Sequence, residues 1–143
     1  MTESFQRTEG GFEFIDEDAI LTPVQTDRYL KQLHNELGRA QLEVKKARRR
    51  ELDRTKAYLE ARAPLLLDED CPEVGRGAGQ VSAKERDAWF SLRIPEEFWD
   101  LKEAALDRAN AVDYLWQVKD QVRVMQSLNK NAKAMYDTER GGR

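Results

Sequence analysis

Residues 22–63 read TPVQTDRYLKQLHNELGRAQLEVKKARRRELDRTKAYLEARA, and the fold class turns on this stretch. Thr22 precedes Pro23, and Gln25 follows three residues after Thr22. That is a capping box with proline at the first helical position. Apolar or small residues then recur at Val24, Leu30, Leu33, Leu37, Ala40, Val44 and Ala47, largely in steps of three and four, which line one side of a helix. No proline intervenes until Pro64, so the spacing predicts a helix from about 23 to 63, roughly 60 Å at 1.5 Å per residue. Beyond Ala47 a strict heptad would put Glu51 and Arg54 in the seam. The apolar pattern instead moves to Leu52, Thr55 and Leu59, which predicts a four-residue stutter.

On the downstream side, residues 64–81 form a connector. Pro64 and Pro72 break helix, Asp68, Glu69, Asp70 and Glu73 solvate the chain, and Gly75-Arg76-Gly77-Ala78-Gly79 loosens it. Ser82 with Glu85 is a second capping box and opens a short helix to about Ser91. Pro95 starts another long helix, whose stripe runs Phe98, Leu101, Ala105, Ala109, Val112, Trp116, Lys119, Val122, Met125, Asn129, Ala132 and Tyr136 until Gly141 and Gly142 end it. Upstream, residues 1–21 lack helical periodicity and read as a flexible acidic arm, with Phe12, Phe14 and Ile15 as candidate partner-binding residues. The expected fold is therefore all-α: two long amphipathic helices with a short intervening helix over residues 22–143, preceded by the arm. Two helices with one narrow seam each bury little alone, so a coiled-coil-like homo-oligomer is expected. Trp89, Trp99 and Trp116 on helical segments allow an order higher than a dimer.

The composition narrows the function classes. A chain of 143 residues is one modest domain. Its charged content of 36% exceeds the roughly 25% of ordinary domains, and its mean hydropathy is −0.80. Little apolar surface is left to wall a deep catalytic pocket, so an enzyme is not expected. No run approaches the ~18 apolar residues that span a bilayer and no leader pattern opens the chain, so a soluble, cytoplasmic protein without a membrane partner is expected. Cys71 is the single cysteine and His34 the single histidine, which makes neither a disulfide, a zinc site nor a nucleophile pair. Val74-Gly75-Arg76-Gly77-Ala78-Gly79-Gln80 lacks the Gly-Lys-Ser/Thr ending of a phosphate loop. No metal or cofactor is expected.

A net charge of −3 hides a strong segregation. Residues 1–27 hold seven acidic side chains against Arg7 alone, whereas residues 28–63 hold eleven basic against five acidic. The densest block, Lys45 to Lys56, has seven basic residues and two acidic ones. On a helix Lys46, Arg50 and Arg54 form one row, and Lys45, Arg49 and Lys56 a neighbouring one, with Arg48 beside them. Such a wall, about 16 Å long by the helical rise, can neutralise several phosphates, and Tyr58 one turn on could stack a base. A solvated helix face, or one paired with acids of a neighbouring helix, is the competing reading. A weaker basic strip holds Lys130, Lys133, Arg140 and Arg143.

The order of these parts resembles the UvsY-type recombination mediators of T-even phages. The shared layout covers about residues 30–130: a lysine-rich long helix ending in a segment similar to Lys56-Ala57-Tyr58-Leu59-Glu60, a glycine-containing loop, Ser82-Ala83 opening a helix, then a long C-terminal amphipathic helix. The resemblance implies a small helical, oligomeric, non-enzymatic protein that binds single-stranded DNA. It also implies two protein partners, a RecA-like recombinase and the single-strand-binding protein it displaces. Lys56 matches the family's DNA-binding lysine; Tyr58 stands where the family has arginine, and Arg54 lies one turn away. The alternative expectation is a helical phage assembly, adaptor or inhibitor protein that acts through protein contacts and binds no DNA.

Overall fold

The computed structural model describes residues 12–15 and 19–142. They form three helices: α1 (Pro23–Leu65), α2 (Ala83–Arg93) and α3 (Pro95–Gly141). No strand occurs among the described residues, and the only β-type pairing is an isolated bridge between Val74 and Val81. The expectation of two long helices around a short one is therefore met.

Each helix start has a local cause. At α1 the capping box is reciprocal: the Thr22 N–H donates to Gln25 Oε1 (2.9 Å) and the Gln25 N–H to Thr22 Oγ1 (3.2 Å). At α2 Ser82 Oγ accepts from the Glu85 N–H at 3.2 Å. Pro95 opens α3, followed by Glu96 and Glu97, whose charges suit the positive end of the helix dipole. Pro64 falls in the last turn of α1, which ends one residue later. The connector is more ordered than a loose linker. Val81 N–H donates to Glu73 O (2.8 Å), and Gly77 N–H donates to Gln80 Oε1 (2.8 Å). Gly79 has φ +78°, so the turn requires glycine there, whereas a Cβ at Gly75 would have to displace only the end of the Gln80 side chain.

The chain divides into two compact units, one drawn from Met1–Val44 and Ala111–Arg143, the other from Lys45–Asn110. In the first unit α1 and α3 run antiparallel. Thr26 Oγ1 lies 2.8 Å from the Asn129 side-chain amide, and the Tyr114 hydroxyl donates to Glu36 Oε1 at 2.6 Å. Tyr29, Leu33 and Ala40 of α1 pack with Val118 and Met125 of α3. Phe12 joins this core, its ring centroid 5.5 Å from that of Tyr29. Two buried donors hold the same segment: the Tyr29 hydroxyl donates to Glu13 O (2.8 Å) and Gln121 Nε2 to Ile15 O (2.9 Å). Residues 12–15 thus dock on their own chain, which corrects the flexible-arm reading for them. Phe12 is buried and so presents no ring to a partner, Ile15 packs against the core, and Phe14 lies against Tyr114 but stays exposed. Residues 1–11 and 16–18 of the arm lie outside the described residues.

In the second unit the buried line of α1 is Ala47, half-buried Glu51 and Thr55, and buried Tyr58. The two successive four-residue steps from Ala47 to Thr55 are the expected stutter, but Leu52 and Leu59 take no part in it: each is 45% exposed and points away from that line. The steps of four, four and three stay in phase because polar residues take seam positions, Glu51 pairing with Arg108 and Thr55 Oγ1 donating to Glu51 O at 2.7 Å. Phe90 of α2 is fully buried, with the Arg62 and Arg86 guanidiniums 5.7 and 5.8 Å from its ring centroid. On α3 the predicted stripe is kept at buried Met125 and at the partly buried positions from Phe98 to Val112, and fails at Trp116, Lys119 and Tyr136, the first two of which lie in the first unit beside buried Val118. Trp116 is 59% exposed with Lys119 Nζ 4.8 Å from its ring, while Val118, Gln121 and Met125 are buried.

Candidate nucleic-acid interface

The first seven predicted cationic residues, Lys45, Lys46, Arg48, Arg49, Arg50, Arg54 and Lys56, are all exposed on α1. With 100° per residue, the phase set by Ala47, Glu51 and Tyr58 decides what each can reach. Lys45, Arg49 and Lys56 project from the side opposite that line and form the outer row. Arg48 borders it. Lys46, Arg50 and Arg54 form the flanking row, nearer the seam.

The two rows have different fates. Arg50 Nη1 lies 3.6 Å from Asp107 Oδ2, and Arg54 Nη1 lies 3.5 Å from Asp100 Oδ2, both acids on α3. Their side chains remain about half exposed, so each pair contributes about 0–1 kcal/mol to stability. The pairing nevertheless neutralises Arg50 and Arg54 of that row at close range. In the outer row the Arg49 pair with Asp53 is i,i+4 at 3.6 Å, with side chains 72% and 57% exposed. Water screens that contact, so a phosphate can displace Asp53 at small cost.

Tyr58, the eighth predicted site residue, is placed differently from expectation. Only 8% of it is exposed, its ring meets Phe98 edge-on at 6.1 Å, and the Arg62 guanidinium covers it at 5.7 Å. Desolvation raises its pKa above the ordinary 10.0. A ring packed this way offers no face to a nucleobase, so base stacking by Tyr58 is set aside.

Sequence reasoning placed Leu52 and Leu59 in the seam, whereas both share the outer face with Lys45, Arg49 and Lys56. The available signal was the phase itself: from Ala47, steps of four, four and three reach Glu51, Thr55 and Tyr58. His34 is exposed on α1 and Cys71 lies in the connector. No cluster of His, Cys, Asp and Glu suited to a metal ion occurs among the described residues, and none of the described helices is long and apolar enough to cross a membrane.

No protein-family model, curated protein or solved structure matches the chain.

Proposed function

We propose that the chain is a non-enzymatic single-stranded-DNA-binding protein of the recombination-mediator kind, a homo-oligomer when free of DNA, that holds the phosphate backbone on the outer face of α1. The supporting observation is the outward row itself: Lys45, Arg49 and Lys56, bordered by Arg48, are exposed along one rigid helix. Fixing four cations on one helix removes part of the ordering cost that a flexible basic tail pays on binding. The resemblance in layout supports the further step, in which the held strand passes to a RecA-like recombinase while single-strand-binding protein is displaced.

The test is fluorescence anisotropy of labelled oligo(dT) across a salt series. Four phosphates neutralised on a single strand give log K against log salt a slope of about −3. A slope near zero, or no binding at low salt, rejects the proposal. A second reading, an assembly or adaptor protein that binds no DNA, is favoured by the ion pairs that Arg50 and Arg54 make with Asp107 and Asp100. It predicts the absence of binding in the same assay.

A further inference from the structure

We propose that the outer face of α1 has a second ligand: the outer face of α3 on another copy of this chain. The observation is a matched pair of patterns within the second unit. On α1 the exposed residues Arg49, Leu52, Lys56 and Leu59 follow one another at steps of three, four and three. On α3 the exposed residues Glu96, Trp99, Glu103 and Leu106 repeat the same steps with the opposite charge. Leu52 and Leu59 are 45% exposed, Trp99 62% and Leu106 59%, so both rows present apolar surface that the chain's own packing leaves uncovered.

The two rows cannot meet within one molecule. The α1 row lies opposite Ala47, Glu51 and Tyr58, and the α3 row lies opposite Ala104 and Arg108, so each helix turns its matched row away from the seam between them. Between copies they fit in one direction. Laid parallel, Arg49 meets Glu96, Leu52 meets Trp99, Lys56 meets Glu103 and Leu59 meets Leu106. Laid antiparallel with the apolar residues matched, Lys56 falls on Lys102. Charges flanking an apolar seam set partner choice and orientation in paired helices, which selects the parallel arrangement. Each copy carries one face of each kind, so the contact is heterologous and propagates until a ring closes or a filament grows.

The inference names the interface within the oligomer and adds a competition, the latter resting on the DNA reading: a strand on Arg49 and Lys56 and a neighbouring copy exclude one another. Self-association itself stands apart from DNA. The experiment is sedimentation velocity on the full chain over a range of concentrations, with two charge-reversed variants, R49E/K56E and E96K/E103K, and their mixture. Wild type associates with rising concentration. Each variant alone associates at least tenfold more weakly, because its two faces then carry the same sign. An equimolar mixture recovers association, because each variant supplies the face the other lacks. Trp99→Ser weakens wild-type association without altering any charge. Circular dichroism confirms that the exposed substitutions keep the helix content. A monomeric wild type at all concentrations, association of E96K/E103K alone, or a mixture that stays monomeric overturns the inference. Anisotropy with oligo(dT) separates the two readings: a monomeric wild type that binds DNA removes the interface alone. An associating wild type that binds none removes the DNA reading alone. Where both hold, E96K/E103K binds oligo(dT) at least as tightly as wild type, and oligo(dT) dissociates the wild-type assembly.

Discussion

Replacing Tyr29 by alanine is expected to lower the unfolding free energy by about 3–5 kcal/mol, the usual cost of removing a buried aromatic side chain. Tyr29 is fully buried against Phe12, and its hydroxyl donates to Glu13 O while Gln121 Nε2 approaches it at 3.5 Å. Alanine leaves a cavity and also leaves the Glu13–Ile15 backbone with one anchor fewer. Tyr29→Phe keeps the packing and removes the hydrogen bond, so about 1 kcal/mol is expected. Urea unfolding followed by circular dichroism measures both. A loss under about 1 kcal/mol for the alanine variant contradicts the described core. A pH dependence accompanies it. Burial pushes the Tyr29 hydroxyl from 10.0 up to about 12, so the folded state disfavours the phenolate. The folded pKa lies above the unfolded one, so the contribution is complete below pH 10 and is lost as pH rises towards 12. Tyr29→Phe is expected to flatten that part of the stability profile.

Reversing Lys45, Arg49 and Lys56 together to glutamate is expected to weaken oligo(dT) binding by about a hundredfold or more near 0.1 M salt, where screening still leaves close charges effective. All three side chains are exposed and point away from the buried line of α1, so helix content and the urea midpoint change little. The same reversal at Lys130 and Lys133, in the other unit, serves as the control and is expected to cost less than tenfold. Equal losses from both sets would mean that binding follows total charge rather than a placed row. Loss of helicity in the triple variant would contradict the outward placement of these residues.

The helices were legible because their signals are local. Thr22 with Gln25, Ser82 with Glu85 and Pro95 each act within one turn, and all three starts appear where the sequence places them. The phase of the long helices was less legible, because the seam uses polar residues where apolar ones were sought. Glu36 is 4% exposed and is satisfied by Tyr114, Gln121 by the Ile15 carbonyl, and Glu51 by Arg108. A search for apolar spacing passes over such positions and settles on Leu52, Leu59 and Trp116, which face outward. The docking of Phe12–Ile15 depends on Tyr29 and Gln121, 16 and 106 residues away from the carbonyls they bind, and no local pattern announces it. The cationic row itself was legible. Its division into a row paired with acids of α3 and an outer row turned away from them was not, since Asp100 and Asp107 reach Arg54 and Arg50 only after α3 has folded back.

Lysine footprinting in the presence of oligo(dT) tests the placement of the strand most directly. Amine-specific labelling is read at each lysine with and without DNA. If the outer face of α1 carries the strand, Lys45 and Lys56 become protected while Lys130 and Lys133 label as before. Protection confined to Lys130 and Lys133, or unchanged labelling at Lys45 and Lys56, contradicts a DNA-binding face on α1.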